Sequence, residues 1–229
     1  MTHRDHSSES RSPRTTANGD RATRTRLLDA AARLFAERGF ARVTVRDICR
    51  RARANVAAVN YHFGGKQGLY TAVMQSAIQT MQATTDAARA AGDGRSPDER
   101  LRAYVRVFVQ RLMGLGRDTW IHQLMMREIA DPSPALDMVA EQVLAPRMTY
   151  LCGTIGELVG LAPDDPRVVR CALSVQSQFH ALVWNQVLPS PSSPPGIGPG
   201  AMDAVAEHIA RFSLAGAMGL RTSDPRLDD

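Results

Sequence analysis

At 229 residues, 44% hydrophobic and 22% charged, the chain is long enough for a small helical unit and a larger second domain, each with its own core. Its formal net charge of +5 is uneven: residues 1–66 hold 14 Lys+Arg against 6 Asp+Glu, and the remainder holds 14 against 17. A basic end joined to a near-neutral body is the electrostatic footprint of a nucleic-acid contact. Cys49, Cys152 and Cys171 lie far apart with no CxxC or Cys/His ligand spacing, which argues against a structural disulfide or a zinc site and makes them small core residues. Met1–Asp20 carries no apolar run, and no stretch of about eighteen apolar residues occurs, so neither a signal peptide nor a membrane span is expected, and a cytoplasmic location is.

Residues 1–22 are rich in Ser, Thr, Arg and Asp without a hydrophobic period, and read as a disordered basic arm. Such an arm either dips into a minor groove or does little, the second being the commoner case. Thr23 caps a first helix that carries Leu27, Ala31, Leu34 and Phe35 on one face. Gly39 stands where a left-handed C-terminal cap is wanted, and Phe40 packs back over the last turn. Thr44 is a good N-cap for a second helix whose Val45, Ile48 and Ala52 face the first. After a break near Arg53-Ala54, Asn55 caps a short third helix running to about His62. Three short helices with a tight turn between the last two form, over residues 23–70, the supersecondary unit that docks in a DNA major groove.

Periodicity divides the third helix into two faces. Val59 and Phe63 point together and lock it onto its neighbours, whereas Ala57, Ala58 and Tyr61 point away, with Val56 and Asn60 on the flank. Small outward residues let a helix lie close to base edges, where Val and Ala methyls meet thymine methyls and Asn60 is able to pair bidentately with adenine. The Thr44 hydroxyl, Tyr61, His62 and Lys66 are candidate phosphate donors, and Arg46 and Asn55 complete the expected DNA-contacting set. Lys66 is the single lysine beside 27 arginines and follows a Gly-Gly turn at the start of a fourth helix, a placement that suits a point-charge phosphate contact better than an ordinary surface role.

The rest of the chain, residues 71–220, reads as helices throughout, with a tail at 221–229. Helix four runs from Lys66 to about Ala91 and leaves the DNA-reading unit for the rest. Ser96-Pro97-Asp98-Glu99 is a capping box that opens a helix with Leu101, Tyr104, Val105, Phe108 and Leu112 on one side. Further helices are expected at about 118–130, at 135–159 with a kink or break at Pro146, from Asp164-Asp165-Pro166 to about Leu188, and at 202–219. The segment 189–200, PSPSSPPGIGPG, is too rich in Pro, Gly and Ser for a regular element and reads as a mobile connector. No segment alternates with period two between turn signals, so the expected fold is all-α.

The stretches Leu28-Asp29-Ala30-Ala31, Leu34-Phe35-Ala36-Glu37-Arg38-Gly39-Phe40, Val43-Thr44-Val45-Arg46-Asp47-Ile48 and Tyr61-His62-Phe63, followed by Lys66 and Leu69-Tyr70, resemble the N-terminal domain of TetR-family transcriptional regulators. Asn55 to Phe63 and the stretch Met126-Arg127-Glu128-Ile129-Ala130-Asp131-Pro132-Ser133 are similar to a narrower CecR-like (YbiH-like) group. Arg53 departs from the family pattern, which places a glycine in that turn; a left-handed conformation there costs a non-glycine residue about 1 kcal/mol.

The resemblance implies a C-terminal domain that dimerises through its last two long helices and encloses a small-molecule pocket. Val168, Val169, Ala172, Val175, Phe179, Leu182 and Val183 on the first of these helices, and Val205, Ile209, Phe212 and Gly216 on the second, suit an isologous interface or packing within their own domain. For the pocket, Trp120, Met125, Met126, Arg127, Gln176, His180 and Trp184 combine adaptable apolar surface with a few polar groups, although any one Met or aromatic at helical spacing is more often plain core. No nucleophile elbow, phosphate-cradling glycine loop or paired-His spacing occurs, so neither an enzyme nor a bound cofactor is expected. The expected function is a homodimeric repressor on a near-palindromic operator, released by a small-molecule effector. The alternatives are a ligand-independent regulator or activator and, less favoured, a small-molecule enzyme with a vestigial helix-turn-helix.

Overall fold

The computed structural model describes residues 13–114, 119–187 and 201–221, and every regular element in them is helical. The chain divides into two units after Gln75, five residues beyond the boundary expected from the sequence. The 189–200 connector and, apart from Arg221, the 221–229 tail lie outside the described residues.

The first unit is built on α1 (Pro13–Arg38), α2 (Val45–Ala52), α3 (Val56–Phe63) and the first turns of α4 (Lys66–Gly92). Helix α1 begins ten residues before Thr23, so residues 13–22, expected as part of a disordered arm, are helical, and residues 1–12 lie outside the described residues. Thr23 is an interior residue, not a cap: its hydroxyl donates to the Gly19 carbonyl, four residues back, at 2.9 Å. The extension is tied down by Asp20, whose carboxylate lies 3.3 Å from His62 Nε2 on α3. Leu27, Ala31, Phe35, Ile48 and Val59 are fully buried and form the centre of the unit. Phe35, Phe40 and Tyr70 meet edge-on or tilted at centroid distances of 4.9 to 5.9 Å, which fixes the start of α4 against α1.

In the second unit α4 continues to Gly92, followed by α5 (Pro97–Met113), α6 (Thr119–Ala130), α7 (Pro134–Val139), α8 (Ala145–Val159), α9 (Pro166–Val187) and α10 (Met202–Gly219). The helix expected over 135–159 is interrupted before Pro146 by a wider π turn at Ala140–Leu144. Proline has no N–H for the carbonyl four residues back, that of Gln142, and Gln82 Nε2 of α4 donates to that oxygen at 3.2 Å. Arg89, one face further along α4, donates to the Pro146 carbonyl at 2.9 Å.

The core of this unit is an aromatic layer. Tyr104 and Phe108 of α5 lie 4.4 Å apart, Phe179 of α9 stacks on Phe108 at 5.1 Å, and Tyr150 of α8 approaches Tyr104 at 5.9 Å. The Arg147 guanidinium covers Phe108 at 4.7 Å, and burial lowers its pKa. The stripe offered for dimerisation mostly faces this core: Val168, Ala172, Val175, Phe179, Leu182 and Ile209 are buried within the chain. Of the two possibilities, this supports packing within the domain for those six, since apolar periodicity marks a buried face without saying which partner buries it. Among the described side chains, the large apolar groups exposed on α9 and α10 are Leu173, Phe212 and Met218, with Gly216 exposed between the last two.

Candidate nucleic-acid interface

The recognition element is positioned by its caps. Thr44 and Asp47 form a reciprocal capping box: the Thr44 side chain accepts from Asp47 N at 3.1 Å and its backbone N–H donates to Asp47 Oδ2 at 3.1 Å. These bonds from Thr44 hold the Asp47 carboxyl below its usual pKa, and Arg50 adds an ion pair. Asn55 Oδ1 accepts from Ala58 N at 2.8 Å and opens α3. Between the two caps Arg53 adopts φ 51°, the left-handed conformation its position called for, and is the single non-glycine residue to do so among the described residues. Its N–H closes the end of α2 on Arg50 and Cys49 carbonyls, and Arg26 Nε of α1 donates to the Ala52 carbonyl at 3.2 Å.

The turn after α3 has a requirement the sequence reading passed over. A Cβ at Gly68 would stand 1.8 Å from the Phe63 carbonyl oxygen, so only glycine lets α4 start this close to the end of α3. No local pattern marks this; it follows from the close approach of two backbones.

On the outward face the structure puts most of the expected residues together. Val56, Ala57, Asn60 and Tyr61 are exposed, Tyr61 by 77%, and Ala58 is half-buried beside them. Asn55, Ala57, Ala58 and Tyr61 share one concave surface with Gly19, Asp20 and Thr23, so the first turns of α1 flank the recognition helix. Thr44 is exposed at the start of α2, but its hydroxyl donates to Asp47 Oδ2 at 2.6 Å, which occupies the proton it would offer to a phosphate. Its backbone neighbourhood remains the anion-facing end of a helix.

His62 is corrected. Its side chain is only 7% exposed and faces Asp20 of α1, so it packs α3 onto the frame and is not presented to a phosphate. The sequence offered it as a phosphate donor, and the partner that covers it lies in a segment read as disordered. Lys66, half-buried at the start of α4, holds its ammonium 4.3 Å over the Phe40 ring.

Several arginines of the basic end serve the scaffold: Arg24 lies 5.2 Å over Phe63, and Arg51 pairs with Glu37 at 3.2 Å. Arg42, Arg46 and Arg53 are exposed and carry no ion pair among the described residues. Arg42 was overlooked; two residues before the Thr44 cap is a signal that could have found it.

The seven residues offered for a ligand pocket differ in exposure and come from α6 and α9. Met126 and His180 are exposed, Trp120, Met125 and Arg127 are half-buried on α6, and the Trp184 side chain lies outside the described residues. Gln176 alone joins the aromatic layer, its Oε1 accepting from the Tyr104 hydroxyl at 3.1 Å. Among the described residues no cluster of three or more His, Cys, Asp or Glu side chains could hold a metal ion, and no helix is long and apolar enough to cross a membrane.

Residues 97–217 match the family described as HTH-type transcriptional dual regulator CecR, C-terminal domain, and residues 27–73 match bacterial regulatory proteins, tetR family. The HTH-type transcriptional dual regulator CecR of Shigella flexneri is 29% identical over 168 residues, which covers 69% of this chain and 73% of that protein. A TetR-family transcriptional regulator from Streptomyces coelicolor superposes with a TM-score of 0.65 at 20% identity, over 86% of this chain and 97% of its own. AibR, solved in complex with isovaleryl coenzyme A and operator DNA, superposes with a TM-score of 0.61 at 17% identity, over 83% and 97%. At such identities the likeness to the two solved structures is one of fold.

Proposed function

Because the chain belongs to the TetR family of bacterial DNA-binding transcriptional regulators, we propose that it acts as a homodimeric repressor released from its operator by a small molecule. The family is one of regulators, not enzymes. The observation that carries the reading is the outward face of α3: small side chains, Asn60 and Tyr61 stand exposed on a helix whose opposite side is locked by Val59. Asn60 reads a base edge, while Lys66, Arg46 and the start of α2 bind phosphates.

One recognition helix per chain reads one half-site. Leu173, Phe212 and Met218, exposed on α9 and α10 around Gly216, supply an apolar face for a second copy, which would set two recognition helices about 34 Å apart on a near-palindromic operator. The effector is proposed to bind at the aromatic layer of the C-terminal unit, where Gln176 and Tyr104 offer polar groups amid ring surface, with Trp120, Met125 and Arg127 on α6 as further contacts. Release is a population shift: a 100-fold loss of operator affinity requires about 2.7 kcal/mol of differential effector binding between the two states. AibR, whose solved complex holds isovaleryl coenzyme A together with operator DNA, supports a ligand-responsive reading by fold analogy.

In vitro selection of sheared genomic DNA at about 150 mM salt tests the first step. A recovered near-palindrome bound far above random DNA supports the reading; salt-sensitive binding indifferent to sequence defeats it. A second reading has its own observation. The Shigella flexneri relative is named a dual regulator, which favours activation at some promoters, and transcription from the recovered sites with and without the protein separates the two signs.

A further inference from the structure

Three arginines of the C-terminal unit, Arg100, Arg102 and Arg167, each pair with a carboxylate. Arg147, half-buried on α8, has no carboxylate within ion-pair distance among the described residues. Its guanidinium lies 4.7 Å over the Phe108 ring of α5, and its Nε donates to the Thr85 hydroxyl oxygen of α4 at 3.4 Å. Thr85 gives its own proton to the Met81 carbonyl, and both Thr85 and Phe108 are buried. Tyr104 of α5 also acts on the guanidinium, but burial pushes that phenol's pKa up, so it stays neutral and supplies no charge. Burial in turn lowers the Arg147 pKa, as expected of a cation short of both water and a counter-ion.

The two Nη groups are the part left over, since they bond to no described group. Neither is sealed off: among the described residues not themselves exposed, Arg100 Nε is the single unpartnered side-chain nitrogen without accessible surface. With Nε held by Thr85, the end of the guanidinium presents two parallel N–H groups, the fork that a carboxylate accepts in bidentate fashion. One guanidinium balances one negative charge, which suits a carboxylate and leaves a phosphate dianion short of a second cation. A partly buried cation without an anion costs stability, and a bound anion returns it.

We propose that Arg147 anchors the effector, and that the effector is a small organic acid whose carboxylate takes the two Nη groups while its apolar body lies against the aromatic layer. This rests on the effector reading above and gives it a ligand class. The ring surface of Tyr104 and Phe108 sets the apolar part, and the fork sets the charge.

The test uses matched pairs, phenylacetate with phenylacetamide and hexanoate with hexanamide, on the full-length protein at constant ionic strength in chloride. Thermal shift and calorimetry should show saturable binding of at least one acid, at least tenfold tighter than its amide. Arg147→Met, which keeps an unbranched chain on the Phe108 ring, should abolish that preference and raise the unfolding midpoint of the unliganded protein. Absence of saturable acid binding overturns the proposal, as does equal binding of acid and amide, or an acid preference that survives in Arg147→Met. Operator affinity measured alongside keeps the two readings apart. Amides that bind as well as acids and release DNA would preserve the effector reading and defeat the organic acid. Arg147-dependent acid binding that leaves operator affinity unchanged would preserve the carboxylate site and defeat the effector role.

Discussion

The two units are stabilised in opposite ways. In the first, α2 and α3 have eight residues each, below the length at which an isolated helix persists in water, and each depends on one cap and a few fully buried contacts. Polar and small side chains are thereby left on the outside, on a frame that does not need them. In the second, helices of up to 22 residues pack through an aromatic layer, and polar groups such as Gln176 and Tyr104, or Gln178 and Ser213, bond to one another between helices. A unit with its chemistry outside suits contact with a large, rigid partner. One with polar pairs between its helices has interior bonds that a small molecule can exchange.

The contrast breaks most sharply at the cores. Phe35→Ala removes the ring that Phe40 and Tyr70 both pack on and should cost about 3–5 kcal/mol, unfolding the first unit while the helices of the second persist. A urea melt followed by circular dichroism would then split into two transitions, and a single transition shifted as a whole would show that the units do not fold separately. At the outward face, Asn60→Ala should cost about 1–3 kcal/mol on the operator and relax preference at one base pair. Lys66→Ala should weaken all sequences alike and lower the salt slope by about one. Equal losses on operator and random DNA for Asn60→Ala would remove it from the readers.

Smaller effects sharpen the picture of the caps. Asn55→Ala should destabilise by about 1 kcal/mol in equilibrium unfolding, whereas Arg53→Gly, which relieves a left-handed arginine, should stabilise by less than about 1 kcal/mol. The smallest expected effect separates the units by acid. Bonds and charge from Arg167 hold the Asp165 carboxyl at about 2 against an ordinary 3.8. Its contribution is therefore present above pH 3.8 and lost as the pH falls toward 2, so acid unfolding of the second unit should be less pH-dependent in Asp165→Asn. An unchanged acid profile would mean that solvent screens this half-buried pair completely.

What could be read in the sequence was local. Thr44, Asn55, Gly39 and the Ser96 capping box act over three or four residues and were legible, as was the need for a left-handed turn at Arg53. What depended on distant partners was not. His62 looks like a phosphate donor until Asp20, 42 positions away, covers it, and the start of α1 was missed with the same pair. The α9 stripe was recognised as a buried face, but periodicity is silent on whether the cover is α5 and α10 or a second chain. The ligand residues were chosen by type, and type alone does not say which α6 and α9 side chains share one space.

The joint before Pro146 has a further consequence, for how the protein tolerates change. Gln82 and Arg89 fasten α4 to the interrupted helix through the carbonyls of Gln142 and Pro146. A main-chain oxygen is present whatever residue stands at that position, so the receiving side of this seam is free to drift. The obligation falls on two side chains of α4. Substitutions at the exposed positions 140–142, 144 and 145 should therefore be absorbed with little loss, while a single replacement at Gln82 or Arg89 opens the seam, an asymmetry that parallel libraries of both segments would expose.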